Sequence, residues 1–174
     1  MGIGTALADD PQLTSRVPGV VRQPRRIVFD AEARLPLNSK LMQEAPEIAL
    51  TVVVSRAAPR GAVAALRGSG AEVIVATGEH EQARVRSALE QLGESGITSI
   101  LLEGGPHLAG AFYDAGAVDE LRLCIAPKLL GGRAARGIVE GVGIEKVDYA
   151  LEALDWNWEP SGRDLLITAR LREW

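Results

Sequence analysis

The segment richest in chemistry is Leu101-Leu102-Glu103-Gly104-Gly105-Pro106-His107-Leu108-Ala109-Gly110, an apolar run, a glycine pair and a proline-led helical pattern. Glycines let a backbone approach an anion closely, and the free N–H groups and dipole of a helix start favour phosphate. The same spelling also makes a tight strand-to-helix turn that binds nothing, and it is not the G-x-G-x-x-G fingerprint. Glu103 either faces a substrate or is a solvated, capping carboxylate, and His107 either touches a ligand or sits on the surface. Upstream, Gly2-Ile3-Gly4-Thr5 leaves a threonine hydroxyl on a loop. Asp9 and Asp10 before Pro11 suit a turn or a helix cap, and Arg16 offers a planar fork for phosphate. Ser55-Arg56 ends a strand and reads either an adenosine 2′-phosphate or nothing but solvent. Arg22, Arg25 and Arg26 read as solvating an edge. Cys124 reads as a small buried hydrophobe, and Trp156, Trp158 and Trp174 as core or interface aromatics.

Short β-branched runs that must position these residues alternate with helical patterns. Arg26–Asp30, Leu50–Val54, Glu72–Val75, Ile97–Leu102 and Leu121–Ala126 read as strands, their unbroken apolar character fitting a parallel sheet covered on both faces. Pro59–Leu66, Glu81–Leu92 and Pro106–Ala115 read as helices, the last with proline in its first turn and Gly116 at its end. Lys146–Leu151 and Asp164–Leu171 read as an antiparallel edge pair, with turn chemistry at Glu159-Pro160-Ser161-Gly162. Residues 128–146 form a glycine-rich excursion too long for a mere turn. The expected architecture is α/β: three layers, a mostly parallel central sheet with helices on both faces, and an antiparallel C-terminal edge pair.

Composition bounds the function. The chain has 174 residues, two histidines, one cysteine and a formal net charge of −4. A single domain is expected over residues 1–174. One cysteine supports neither a disulfide framework nor a cysteine zinc site, so no metal is expected. The acidic balance argues against nucleic acid, and no apolar run approaches a membrane span. No signal-peptide pattern opens the chain, and a cytoplasmic location is the expectation. Neither a G-x-S-x-G elbow nor a G-x-x-x-x-G-K-[ST] loop is present, leaving serine-hydrolase and P-loop chemistry without support.

Taken in order, several motifs form one pattern. Gly4-Thr5-x-x-x-Asp9-Asp10-Pro11-x-Leu13-Thr14-x-Arg16 is followed by Gln23-Pro24-x-Arg26-Ile27-Val28-x-Asp30. Leu102-Glu103-Gly104-Gly105-Pro106-x-Leu108-Ala109-Gly110-Ala111, Val118-Asp119-Glu120-Leu121, Ala126-Pro127-Lys128-Leu129-Leu130-Gly131-Gly132 and Gly162-x-Asp164-Leu165-Leu166 come after. This order resembles the reductase domain of bacterial riboflavin biosynthesis deaminase–reductases, whose fold is dihydrofolate-reductase-like.

The resemblance implies NADPH-dependent reduction of 5-amino-6-(5-phosphoribosylamino)uracil to its ribitylamino product, in a cytoplasmic homodimer. It implies cofactor contacts from Thr5, Asp9, Ala31 and the run Gly104, Gly105, Pro106, His107, Leu108, Ala109, Gly110 and Ala111. It also implies substrate contacts from Leu13, Arg16 and Glu103, with Glu103 holding sugar hydroxyls near the reacting carbon and Arg16 the phosphate. Many relatives carry serine where this chain has Ala31, which removes one side-chain hydrogen bond. The family pattern also places a strand resembling T-x-K-x-A-x-S-x-D-G and a helix ahead of Gly2-Ile3-Gly4; here they are absent, so open apolar sheet edges are expected. Two alternatives are a reductase of another pterin-like substrate and a non-catalytic nucleotide-binding remnant.

Overall fold

The computed structural model describes residues 1–132, 135 and 137–173. Its first half is built on three parallel strands, β1 (Arg26–Phe29), β2 (Leu50–Ser55) and β3 (Glu72–Ala76), in the order β1-β2-β3. Val28 pairs with Val52, and Val52 with Val73. Thr51, Val52, Val53 and Val54 are all buried in succession, because β2 is central and covered on both faces. On one face lie α1 (Ile3–Asp9), the short α2 (Lys40–Gln43) and α3 (Arg60–Gly68), which deliver Ala6, Leu41, Met42 and Leu66 to a core with Val28 and Val52. On the other lies α4 (Glu81–Glu94), whose Ala88 and Leu92 pack on Val53 and Ile74.

α4 also carries α5 (Pro106–Asp114). Val85 meets Leu108, Ala111 and Phe112, and the Phe112 ring meets Phe29 of β1 edge-on at 5.2 Å. Proline at the first turn and an N-cap Gly105 in extended conformation start this helix where no side chain caps it.

The second half is an antiparallel sheet, β4 (Glu120–Ile125), β5 (Asp155–Ser161) and β6 (Asp164–Arg170), in the order β4-β6-β5. Gly162, at φ +64°, makes the two-residue β5–β6 turn possible. Register puts Leu121, Ala169 and Trp156 side by side, then Leu123, Ile167 and Trp158, then Ile125, Leu165 and Pro160. One face of this sheet is therefore apolar.

Five expectations need correction. Ile97–Leu102 is not a strand: no strand lies alongside it among the described residues, and without a ladder an apolar run has no reason to be called one. The partner of β6 is Asp155–Ser161 and not Lys146–Leu151, which holds only a 3-10 turn at Val147–Tyr149. Pro160 is tolerated there because β5 is an edge strand. Thr5 sits in a helix, because the glycines before it let α1 begin at Ile3. Cys124 is exposed, on the polar face of β4. Trp156 and Trp158 are also exposed, at 62% and 59%, and so are not core residues, while Trp174 lies outside the described residues.

The arginine cluster divides. Arg26 is buried, donating to Glu44 Oε2 at 3.0 Å and to the carbonyl of Ile48 at 2.6 Å. Burial pulls its pKa below the ordinary value and Glu44 opposes that. Arg25 pairs with Glu72, and Arg22 stays exposed.

Candidate active site

Two cavities flank β1. The first, about 550 Å³, opens at the carboxyl ends of β1, β2 and β3, where Phe29, Asp30, Ala31, Ser55 and Ala76 line it. Ligands of parallel α/β sheets gather at this end because the loops and helix starts converge there. Gly105 and Pro106 at the start of α5, with His107 and Leu108, form one wall, and Gly2, Gly4 and Thr5 another. The walls meet tightly at Gly105, where a Cβ would stand 3.1 Å from Thr5 Oγ1; one on Gly104 would meet only ordinary contacts with Leu108 and the Gly2 nitrogen. Gly105 thus leaves room for α5 amide groups to face the cavity, with no capping side chain competing for them. A dinucleotide pyrophosphate fits this donor set.

The second cavity, about 680 Å³, lies along the outer edge of β1 and is lined by Leu13, Ile27, Phe29 and residues 96–103. Leu13 reaches it through a left-handed backbone, φ 54°. Glu103 stands at its end, close enough to Met1 that its charge opposes the effect of burial, which pushes the ammonium down to about 6. Phe29 is common to both cavities.

The expected site residues fall into three groups. Thr5, Ala31, Gly105, Pro106, His107 and Leu108 meet in the first cavity, and Leu13 and Glu103 in the second. Asp9 and Arg16 are exposed and line neither, nor does Gly104, which sits between the two. Ala109, Gly110 and Ala111 support the wall from behind; Gly110 and Ala111 are buried. His107 Nε2 lies 3.3 Å from Glu81 at the start of α4. Among the described residues no cluster of His, Cys, Asp or Glu is placed to hold a metal.

Sequence reasoning missed five charged cavity residues. Glu32 and Arg34 are carried by the loop after β1, Glu81 and Arg84 come from α4, and Glu140 from the glycine-rich excursion. Glu140 arrives because its N–H donates to the Pro106 carbonyl at 3.0 Å and the Val142 N–H to Asp114 Oδ2 at 2.9 Å. Gly110 permits the approach. The only sequence signal was the glycine count of residues 128–146, which does not say where the segment docks.

An α/β domain with a glycine-walled helix start opening into a cavity at the carboxyl ends of parallel strands is the architecture of a nucleotide-binding domain. The family model for the RibD C-terminal domain matches residues 1–167, and the chain belongs to that family. It is 36% identical over 167 residues to riboflavin biosynthesis protein RibD of Actinobacillus pleuropneumoniae, covering 96% of this chain and 44% of that protein. It thus spans under half of that relative's length. It is 39% identical over 172 residues to the 2,5-diamino-6-ribosylamino-4(3H)-pyrimidinone 5′-phosphate reductase of Methanothermobacter thermautotrophicus, covering 96% and 76%. A solved RibD of Acinetobacter baumannii superposes with a TM-score of 0.73 at 28% identity, covering 99% of this chain and 46% of that one.

Proposed function

We propose that this domain is the NADPH-dependent reductase of a phosphoribosylaminopyrimidine in riboflavin biosynthesis, acting on 5-amino-6-(5-phosphoribosylamino)uracil. The observation that carries the reading is the pair of cavities sharing Phe29, one suited to a dinucleotide and the other ending at Glu103. Family membership and the reductase named in the archaeal relative support it.

When bound, NADPH would supply the hydride to C1′ of the ring-opened imine, whose nitrogen takes a proton from solvent to give the ribitylamine. The chain's own task is to bind, orient and exclude water. The α5 amides and Gly105 take the pyrophosphate, Thr5 closes the opposite wall, and Ala31 contributes its backbone alone. Glu103 accepts hydrogen bonds from sugar hydroxyls, Leu13 packs on the pyrimidine, and Arg16 takes the substrate phosphate from the rim. Asp9 acts at the far end of α1. The working form is a cytoplasmic homodimer, supported by the exposed apolar face that Trp156, Trp158 and Ile125 give the second sheet.

The test is NADPH oxidation by the purified chain with the phosphoribosylaminopyrimidine present. Turnover that requires the 5′-phosphate supports the assignment. Turnover of unphosphorylated pterin-like carbonyl compounds instead would overturn it, as would nucleotide binding without turnover.

A further inference from the structure

We infer that Arg34 is the residue that makes this cavity select a dinucleotide bearing a 2′-phosphate. The inference rests on the nucleotide reading above and goes past it, to the side chain that discriminates NADPH from NADH. Sites that take the unphosphorylated cofactor usually present a carboxylate at a strand end to the ribose 2′-hydroxyl, whereas a nearby arginine suits the 2′-phosphate. Here the strand-end carboxylate is Asp30, and it is withdrawn. It is fully buried, and its Oδ2 accepts the Leu35 N–H at 2.8 Å.

The turn that buries Asp30 presents Arg34. The Ala33 N–H donates to the Asp30 carbonyl at 3.1 Å, and Ala33 adopts φ 55°. With Leu35 anchored inside, Arg34 is held at the cavity wall with its side chain 52% exposed. Its Nε lies 3.6 Å from Glu32 and 4.0 Å from Asp30 Oδ1. Neither Nη has an acceptor among the described residues, so the outer edge of the fork is available for two parallel bonds to a phosphate. Other polar groups near the cavity are at least partly committed. Ser55 Oγ donates to the Ala31 carbonyl at 2.8 Å, and Arg84 Nη1 to the Glu79 carbonyl at 3.1 Å. Arg56 does not line the cavity. His107 is paired with Glu81, and Glu140 is an anion. Glu32, 71% exposed, is the one carboxylate that a phosphate must displace from Arg34.

Dissociation constants for NADPH and NADH, measured by titration on wild type, Arg34→Ala, Arg34→Lys, Glu32→Gln and Arg84→Ala, test this. Arg34→Ala should weaken NADPH about tenfold to a hundredfold and leave NADH within about twofold, with Arg34→Lys between. Glu32→Gln should tighten NADPH and not NADH. Equal losses for both nucleotides in Arg34→Ala, or selectivity that disappears in Arg84→Ala instead, would overturn the role of Arg34 while leaving the reductase reading intact. A wild type that binds neither nucleotide would overturn both.

Discussion

Gly110→Ala isolates what holds the glycine-rich excursion against the site. Gly110 lies inside α5, where alanine ordinarily gains about 1 kcal/mol in helix propensity. Here an added Cβ would stand 1.9 Å from the Glu140 carbonyl oxygen and 2.3 Å from its carbon, both well inside the 3.0 Å that real contacts keep. Both atoms are backbone, so no rotamer change relieves the overlap. Residues 140–142 must lift away, breaking the Glu140–Pro106 bond and the charge-assisted Val142–Asp114 bond. Those two are worth about 1 kcal/mol and about 2 kcal/mol. Set against the propensity gain, the net destabilisation is about 1–3 kcal/mol. It is capped by undocking, because once the segment has left α5 the clash is gone.

The control is chemically identical. Gly93 lies near the end of α4, and a Cβ there meets nothing within 4 Å. Gly93→Ala should therefore hold or raise stability, by up to about 1 kcal/mol. Urea unfolding of both variants gives the comparison, and amide exchange at Val142 reports docking directly. If the two substitutions shift stability in the same direction, or if Val142 keeps its protection in Gly110→Ala, the docking of this segment is refuted.

Glu103→Gln should lower the reduction rate by about a hundredfold or more, since a charged acceptor is lost, while NADPH affinity stays unchanged; single-turnover kinetics beside nucleotide titration separates the two. Arg16→Ala should raise the substrate KM and leave NADPH binding alone, and an unchanged KM would remove it from phosphate recognition. Glu44→Ala strands the buried Arg26 cation and should cost about 2–3 kcal/mol in urea unfolding, whereas methionine at both positions should cost less. Burial raises the Asp30 carboxyl above its usual 3.8, outweighing the backbone N–H bonds that lower it. The folded state therefore holds that proton longer than the unfolded state, and stability falls as pH rises from 3.8 through the raised value. Asp30→Asn, which can still accept from Leu35, should flatten that part of the profile relative to wild type.

What was legible in the chain follows from how local the determining forces are. The alternation of β1, α3, β3, α4 and α5 could be read because each has its own signal: a β-branched run, a proline start, a helical stripe ending in glycine. Ile97–Leu102 carries the same apolar signal and fails, because strand status belongs to a ladder and not to a run. Asp155–Ser161 is the opposite case. Its Trp156 and Trp158 alternate as a strand would, but Asn157, Glu159 and Pro160 disfavour one, and the Gly162 turn with pairing to β6 decides it. Tertiary pairing outweighed propensity in both.

The site divides along the same line. Gly105 and Glu103, which the cavities contain, were legible because a glycine ahead of a proline-led helix start marks a backbone turn wherever it occurs. Arg26 could not be placed: an arginine among arginines reads as surface, and only the convergence of Glu44, Ile48 and Gln12 makes a buried place for it. Arg34 escaped notice for the converse reason. Asp30, two residues beyond the motif's apolar core, turns inward, and the loop's guanidinium is left at the cavity wall, a placement no spacing in the chain marks. A carboxylate withdrawn from a site changes which neighbour can act there, and burial, which no spacing records, decides whether it is withdrawn. On the proposal made for Arg34, the Asp30–Leu35 turn sets which nucleotide the cavity takes, while Gly105 at the start of α5 sets where its pyrophosphate would lie.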